Sequence, residues 1–274
     1  MSPWQRVRRW IGDHLILGLG LLVLAYTFVP IAVVVLMSFN DSSEARNVYK
    51  FQEFTFDNWL NPFKPAGMGE SVLLSIQIAF LATLVATILG TLAAFALVRH
   101  RFFGRNAANV IIFLPMASPE IVMGSSLLAL FVTSGFGGQL GFWTILIAHI
   151  MFCLSFVIVT VKARLSGFDD NLEQAAMDLY ATESQTFWRI TFPLVLPGII
   201  AAALLSFSLS FDDFIITNLN SGQEVTFPMF VYGASQRGVP MQVNVIGTAM
   251  FVIAITLVVL GELNRRRRVR SLAR

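Results

Sequence analysis

Six apolar windows constrain this chain more than any other feature. Each is long enough to cross roughly 30 Å of hydrocarbon, which takes about 20 residues at 1.5 Å per residue. They fall near residues 15–39, 72–98, 107–132, 140–161, 194–219 and 244–261. The chain is 56% hydrophobic and 13% charged, whereas a soluble domain holds about 25% charged residues. The pattern predicts an all-α membrane protein with six transmembrane helices, residues 1–274 forming a single transmembrane domain.

Basic residues orient the spans, because cytoplasmic loops retain positive charge. With both termini inside, the inner set is Arg6, Arg8, Arg9, Arg99, Arg101, Arg105, Lys162, Arg164, Arg189, Arg265 to Arg268, Arg270 and Arg274. That leaves only Arg46, Lys50, Lys64 and Arg237 of the 19 basic residues outside. The sequence therefore predicts an N-in, C-in topology. Directly after a span, the Arg265 to Arg268 run reads as a lipid-headgroup anchor and not as a nucleic-acid patch. The first apolar run exceeds a signal-peptide core and lacks a small-residue cleavage site at Leu36-Met37-Ser38-Phe39-Asn40, so it is expected to stay as an uncleaved helix.

Catalytic chemistry finds little support. The lone Cys153 lies within the fourth window, and His14, His100 and His149 are too scattered to suggest a metal site or a triad. A P-loop needs Gly-Lys-Ser/Thr, but none of Lys50, Lys64 and Lys162 follows a glycine. Any nucleotide hydrolysis is expected in another chain.

Between the fourth and fifth windows lies a polar insert, about residues 165–193. Asn171 to Leu179 are mostly good helix formers, and the small Ala175 and Ala176 would permit close approach to a partner. Thr182 is the expected N-cap of a second short helix, with Gln185 completing a capping box and Pro193 ending it. A helix, a turn and a helix on the cytoplasmic face make a knob that a soluble protein could grip.

The run Glu173-Gln174-Ala175-Ala176, with Ile190-Thr191-Phe192-Pro193 downstream, resembles the coupling loop of ATP-binding-cassette importer permeases. Further matches are Leu36-Met37-Ser38-Phe39-Asn40-Asp41-Ser42-Ser43, Phe54-Thr55 with Trp59, and Ser118-Pro119-Glu120-Ile121-Val122-Met123. Gly141-Phe142-Trp143, Ala148-His149-Ile150-Met151-Phe152-Cys153, Ser206-Phe207-Ser208-Leu209-Ser210-Phe211-Asp212-Asp213 and Asn244 extend the likeness. Together they resemble the permeases of spermidine/putrescine importers, the second permease subunit above all, over roughly residues 15 to 260. The resemblance implies that Glu173, Gln174, Ala175, Ala176, Asp178 and Tyr180 couple to a separate ATPase. Gln174, Tyr180 and Phe192 stand where the family pattern has glutamate, glycine and leucine. The glycine suits a left-handed turn that a bulky residue adopts only with strain, so Tyr180 weighs against that turn here.

Intramembrane carboxylates bear on the cargo, because an acid at membrane depth is costly and is retained for a pathway or a partner. The third and fifth windows hold Glu120, Asp212 and Asp213, and no lysine or arginine falls within a span. This suits a cationic solute. Ser206, Ser210, Asp213, Thr217 and Asn220 fall within an arc of about 80° at 100° per residue, a polar stripe that favours Asp213 over Asp212 as the solute-facing carboxylate. Ser210 and Thr217 join it as expected pathway residues. Pro115 and Pro119 interrupt the third span just before Glu120, the second pathway candidate. Met116, Met123 and Leu127, and likewise His149 and Cys153, read as packing residues. Trp143 reads as a headgroup anchor.

The resemblance thus implies a permease subunit of an ATP-driven importer of polyamine-like cations in the cytoplasmic (inner) membrane, spanning the lipid bilayer in several passes. Its implied partners are a homologous permease, a cytosolic ATP-binding subunit dimer and an extracytoplasmic solute-binding protein, with no nucleic acid. No metal or cofactor is expected in this chain, ATP and magnesium being held by the partner ATPase. Another organic cation or an amino-acid derivative fits the same charge pattern. A secondary transporter fits less well, lacking clear internal repeats and any use for a coupling loop, and a membrane enzyme lacks a reactive constellation.

Overall fold

The computed structural model describes residues 3–41, 50–136, 139–167, 169 and 171–272. Ser42, Ser43, Arg46 and Arg274 lie outside the described residues, as do the side chains of Arg6, Arg8, Arg9, Arg265 to Arg268 and Arg270. Five helices are long and apolar enough to cross a membrane, and the third predicted span is a helix pair bent by 107°. The chain groups into two compact units, residues 67–230 and a second made of residues 1–66 with 231–274.

The first unit is organised by α3 (Met68–Arg99), α6 (Phe142–Ser166) and α9 (Phe192–Asp212). Lipid is as apolar as leucine, so helices here associate by close packing of small residues. Ala79, Ala82, Ala86, Gly90 and Ala94 form such a stripe on α3, and all are buried. A Cβ at Gly90 would lie 2.6 Å from Val157 Cγ1 on α6. Val157, Ile158 and Val161 of α6 and Val195, Ile199 and Ala202 of α9 complete the core.

Two spans of this unit are broken. Helix α4 (Arg105–Ala117) stops at Ser118 and α5 (Glu120–Phe131) starts after Pro119, both junction residues being extended, with ψ of 139° and 134°. Proline pushes its predecessor out of the helical region, so Pro119 makes the break, while Pro115 stays inside α4. The fifth window, predicted as one helix over 194–219, is also divided. Helix α9 ends at Asp212, Asp213 is extended with ψ 127°, and α10 (Ile215–Asn220) follows. Helix α10 lies on α5 at Gly124, where a Cβ would come within 3.2 Å of Ile216 Cα, and Asn220 Nδ2 donates to the Gly124 carbonyl at 3.2 Å.

The insert folds as α7 (Asn171–Asp178), a turn and α8 (Glu183–Thr186). As predicted, Thr182 Oγ1 accepts from Gln185 N–H and Gln185 Oε1 accepts from Thr182 N–H. Pro193, however, does not end the helix. A π-helical turn, Phe187–Thr191, in which Phe192 N–H reaches back to the Phe187 carbonyl, shifts the register. The proline then falls in the first turn of α9, where its missing N–H is not needed. Glu183 to Asp212 is consequently one helical rod of 30 residues, about 45 Å long at 1.5 Å per residue.

In the second unit, α1 (Pro3–Met37) packs on α12 (Met241–Leu272), with Phe28 edge-on to Phe251 at 6.5 Å. The segment after α1 forms a two-residue antiparallel ladder, β1 (Asn40–Asp41) with β2 (Glu53–Phe54), followed by α2 (Asp57–Leu60). Asn40 and Asn58 are buried and hydrogen-bond the loop backbone, Asn58 Nδ2 donating to the Asn40 carbonyl at 2.9 Å. Trp59 Nε1 donates to Ser38 Oγ at 3.1 Å, and Phe39 stacks on both Phe54 and Trp59 at 5.5 Å. Sequence matches that are separate in the chain are thus one knot in space.

Tyr180 corrects the expectation for the turn after α7. With φ of 64° it is the one non-glycine residue with positive φ among those described. Ala181 N–H donates to the Ala176 carbonyl at 3.1 Å and Tyr180 N–H to the Met177 carbonyl at 2.9 Å, the paired bonds of a Schellman C-cap. These bonds hold the tyrosine in the left-handed conformation, whose cost is about 1–2 kcal/mol for an L-residue. Its ring is 96% exposed and contributes no internal packing. Tyr180→Gly should therefore stabilise the isolated chain by about 0.5–1 kcal/mol, the gain being offset in part by glycine's extra freedom when unfolded. Thermal unfolding in detergent checks this, and a lower midpoint would show that the turn is not strained.

Candidate functional site

Asp213 sits where α9 gives way to α10, and its carboxylate explains that break. Oδ2 accepts from Thr217 N–H and from Thr217 Oγ1–H, both at 2.8 Å, so it takes up a first-turn amide of α10 that no carbonyl reaches. His149 on α6 faces the same group, with Nε2 3.4 Å from Asp213 Oδ2 and 2.9 Å from Thr217 Oγ1, while Nδ1 is 2.7 Å from Ser210 Oγ. One set of hydrogens satisfies every contact: Thr217 donates to Asp213 and accepts from His149 Nε2–H, and Ser210 donates to Nδ1.

The predicted polar stripe exists, but it is a seam between helices. Ser206, Ser210, Asp213, Thr217 and Asn220 are all buried, Asp213 being 7% exposed. They meet α6 through His149, through Thr144 Oγ1, which donates to the Asn220 carbonyl at 2.7 Å, and through Cys153 Sγ, 3.5 Å from the Ser206 carbonyl. Asp213, Ser210 and Thr217, expected to line the path, are thus occupied with one another and with α6. His149, read as a packing residue, is the hub of the seam.

Asp212 and Glu120 are placed differently. Both are exposed, Asp212 as the last residue of α9 and Glu120 as the first of α5. Helix α10 packs on α5, so the two helix breaks that carry Glu120, Asp212 and Asp213 belong to adjoining elements. Neither exposed carboxylate pairs with a lysine or arginine among the described residues. Beside the first break opens a cavity of about 310 Å³, whose walls include Leu114, Val122, Met123, Leu127 and Met151. Its hydroxyls, Ser118 and Ser126, are spent on the Leu114 and Val122 carbonyls. The cavity thus offers an apolar wall with its hydroxyls already spent, and no acidic side chain among the described residues lines it. Met123 and Leu127 pack inward as predicted.

In the insert, helical geometry divides the candidates between two faces. Gln174, Ala175 and Asp178 are exposed, together with Tyr180 in the turn. Glu173 and Ala176 turn inward, contrary to the expectation that they meet a partner; Ala176 is 8% exposed. Both oxygens of Glu173 are taken by Arg99 at the end of α3, with Nη1 at 2.8 Å and Nη2 at 2.6 Å, and Thr191 Oγ1–H adds a third bond. In the sequence Arg99 is only a topology marker, Thr191 only part of a motif and His149 only a packing residue. Only a contact between distant elements gives these residues meaning, and the spacing 99, 173 and 191 carries no local signal.

The match to known proteins covers most of the chain. Residues 86–263 fit the model of the family described as binding-protein-dependent transport system inner membrane component. The spermidine/putrescine transport system permease protein PotC of Haemophilus influenzae is 39% identical over 246 residues, 89% of this chain and 94% of the relative. The putrescine transport system permease protein PotI of Escherichia coli is 37% identical over 255 residues, 90% and 85% of the two chains. Among solved structures, a bacterial alginate ABC transporter in complex with an alginate pentasaccharide-bound periplasmic protein aligns with a TM-score of 0.65 at 17% identity. That alignment covers 95% of this chain and 96% of the other, and at such identity it speaks for the fold alone. An all-α multi-pass membrane architecture and a family match over most of its length together make this chain a member of the binding-protein-dependent transport system inner membrane components, the permease subunits of ABC importers.

Proposed function

We propose that the chain is one permease half of an ATP-driven importer of polyamine-like cations. The observation that carries the cargo class is the pair of exposed carboxylates, Glu120 and Asp212, at two adjoining helix breaks, neither paired with a lysine or arginine among the described residues. A diamine or triamine carries ammonium groups, which suit exposed carboxylates not taken up by a described basic residue. The relatives named for spermidine and putrescine support the same class.

In this reading Glu120 and Asp212 touch the cargo. Asp213, Ser210, Thr217 and His149 hold the second break in shape. The chain works beside a homologous permease, two copies of a cytosolic ATPase that holds ATP and magnesium, and an external solute-binding protein, in the inner membrane with both termini inside. ATP binding closes the ATPases, the insert moves with them, and access alternates between the two faces. Hydrolysis resets the cycle. Gln174, Ala175, Asp178 and Tyr180 form the surface offered to the ATPase.

Uptake of labelled spermidine or putrescine into vesicles holding the whole complex tests the cargo site. Glu120→Gln and Asp212→Asn should each reduce uptake about tenfold or more, a charge-assisted contact being worth about 1.5–3 kcal/mol and 1.4 kcal/mol a factor of ten. Near-normal uptake by both variants would overturn the acidic path. Asp213→Asn should act differently, because a neutral amide oxygen accepts the two Thr217 donors without the charge that strengthens those bonds and that faces His149; the expected result is a chain destabilised by about 1–3 kcal/mol, seen as a lower unfolding midpoint. A stable Asp213→Asn protein defective only in uptake would instead make Asp213 the contact.

Docking is tested on the exposed face of α7. Ala175→Arg should abolish solute-stimulated ATP hydrolysis in a permease that still inserts and folds, whereas Ala176→Arg forces a long side chain inward and should lower the yield of folded protein. Normal stimulation in Ala175→Arg would remove α7 from the ATPase contact.

A further inference from the structure

We infer that Glu173 is an internal latch, a positioning residue that ties the coupling helix to two spans, and not a contact to the ATPase. The inference rests on the proposed coupling role of the insert and names the route by which motion leaves it.

Glu173 lies in the first turn of α7, on the face that turns inward with Ala176. Its carboxylate and the Arg99 guanidinium meet through two parallel bonds at 2.8 and 2.6 Å, with side-chain exposures of 17% and 27%. A bidentate fork fixes direction as well as distance, and partial burial spares it much of the screening that makes surface pairs weak. The third bond, from Thr191 Oγ1–H, comes from the π-helical turn inside the rod that ends at Asp212. One carboxylate therefore joins the end of α3, the coupling helix and the long rod.

Packing makes this connection only in part. Ala176 is buried and Phe95 of α3 meets Phe187 of the rod edge-on at 5.6 Å, but a cavity of about 620 Å³ opens beside them, its walls including Leu92 of α3 and Met177 of α7. Thr186 Oγ1 on its wall is buried without a hydrogen-bond partner. A helix that faces a cavity transmits displacement poorly through apolar contact, since a void has no opposing atoms to push. The ion pair at the cavity's edge spans the gap. A pull on α7 is then carried to α3, whose small-residue stripe is closely packed on α6, and along the rod to the second helix break. Two routes leave one residue, and both belong to the same compact unit.

The complete complex, with partner permease, ATPase and binding protein, is the material for the test. In Glu173→Gln, which keeps the size but not the charge, the ATPase should still co-purify and basal ATP hydrolysis should persist, while solute moved per ATP falls about tenfold. The swapped pair Arg99→Glu with Glu173→Arg should recover part of that ratio, and Thr191→Val should fall between. A ratio within twofold of the wild type in Glu173→Gln overturns the latch. So does loss of the ATPase from Glu173→Gln, which would make the residue a contact. A second readout needs no cargo: spin labels at Leu172→Cys, exposed on α7 and outside the proposed docking face, and at His100→Cys should give a narrow distance distribution, with or without ATP, that broadens when Glu173→Gln is added. A distribution that stays narrow overturns the latch whatever the solute. Broadening, with wild-type complex that takes up neither spermidine nor putrescine, supports the latch and discards the cargo reading alone.

Discussion

A single carboxylate makes the second broken helix possible. When a helix stops at membrane depth, the amides of the next segment have no water to turn to, and Asp213 Oδ2 supplies the acceptor for Thr217 N–H. Because that bond exists, α10 can leave the axis of α9 and lie on α5, where Gly124 lets the backbones approach. The first break has a different origin. Pro119 forces an extended residue before it, and the four amides at the start of α5 include that of the exposed Glu120. Two breaks of unlike cause are brought together by α10 packing on α5.

The cost of the seam explains its composition. A buried aspartate without partners would be prohibitive in a lipid-surrounded domain, yet here every neighbour of Asp213 is used, by the hydroxyl and amide of Thr217 and by His149. His149 in turn is held from both ring nitrogens, which orients the imidazole. A network satisfied in this way specifies one register between α6 and the α9 to α10 junction, something leucine and valine contacts alone would leave loose. Elsewhere on α6 the contact with α3 is apolar and built from small residues, so a polar seam and a tight apolar seam flank the same helix.

Much of this was legible in the sequence, and the limits are specific. Window length and charge revealed the spans, Thr182 with Gln185 announced the capping box, and the offsets of Ser206, Ser210, Asp213, Thr217 and Asn220 disclosed a polar stripe. Periodicity reports that residues share a face, but not what that face meets. A stripe turned to water and one turned to His149 read alike, so the offsets alone do not tell that Asp213 is buried and Asp212 exposed. The same blindness set Glu173 and Ala176 beside Ala175 as contact residues, although one helical turn separates an inner face from an outer one. Pro193 was read as a stop because the π-helical turn that accommodates it has no pattern of its own. Tyr180 was read as incompatible with a left-handed turn because propensity weighs one residue, while the Schellman bonds of Ala181 and Tyr180 are formed by the backbone around it.

Adjacent residues can hold opposite roles at a helix end, and Asp212 with Asp213 illustrates why. Asp212 is still helical, so its side chain follows the rotation of α9 and emerges away from α6. At Asp213 the backbone turns to ψ 127°, which carries the next side chain back over the start of α10 instead of a further 100° around the old axis. The break thereby splits a pair of like charges, one exposed and one buried among donors, and their repulsion is reduced by separate environments. In the proposed importer this division lets one aspartate meet a cation while its neighbour maintains the backbone geometry that presents it. The rod from Glu183 to Asp212 then links the latch at Glu173 with the exposed carboxylate at its far end. In the proposed importer a shift of the insert would reach that carboxylate through continuous helix, while Asp213, bonded to α10 and facing His149, ties the end of the rod to α10 and α6.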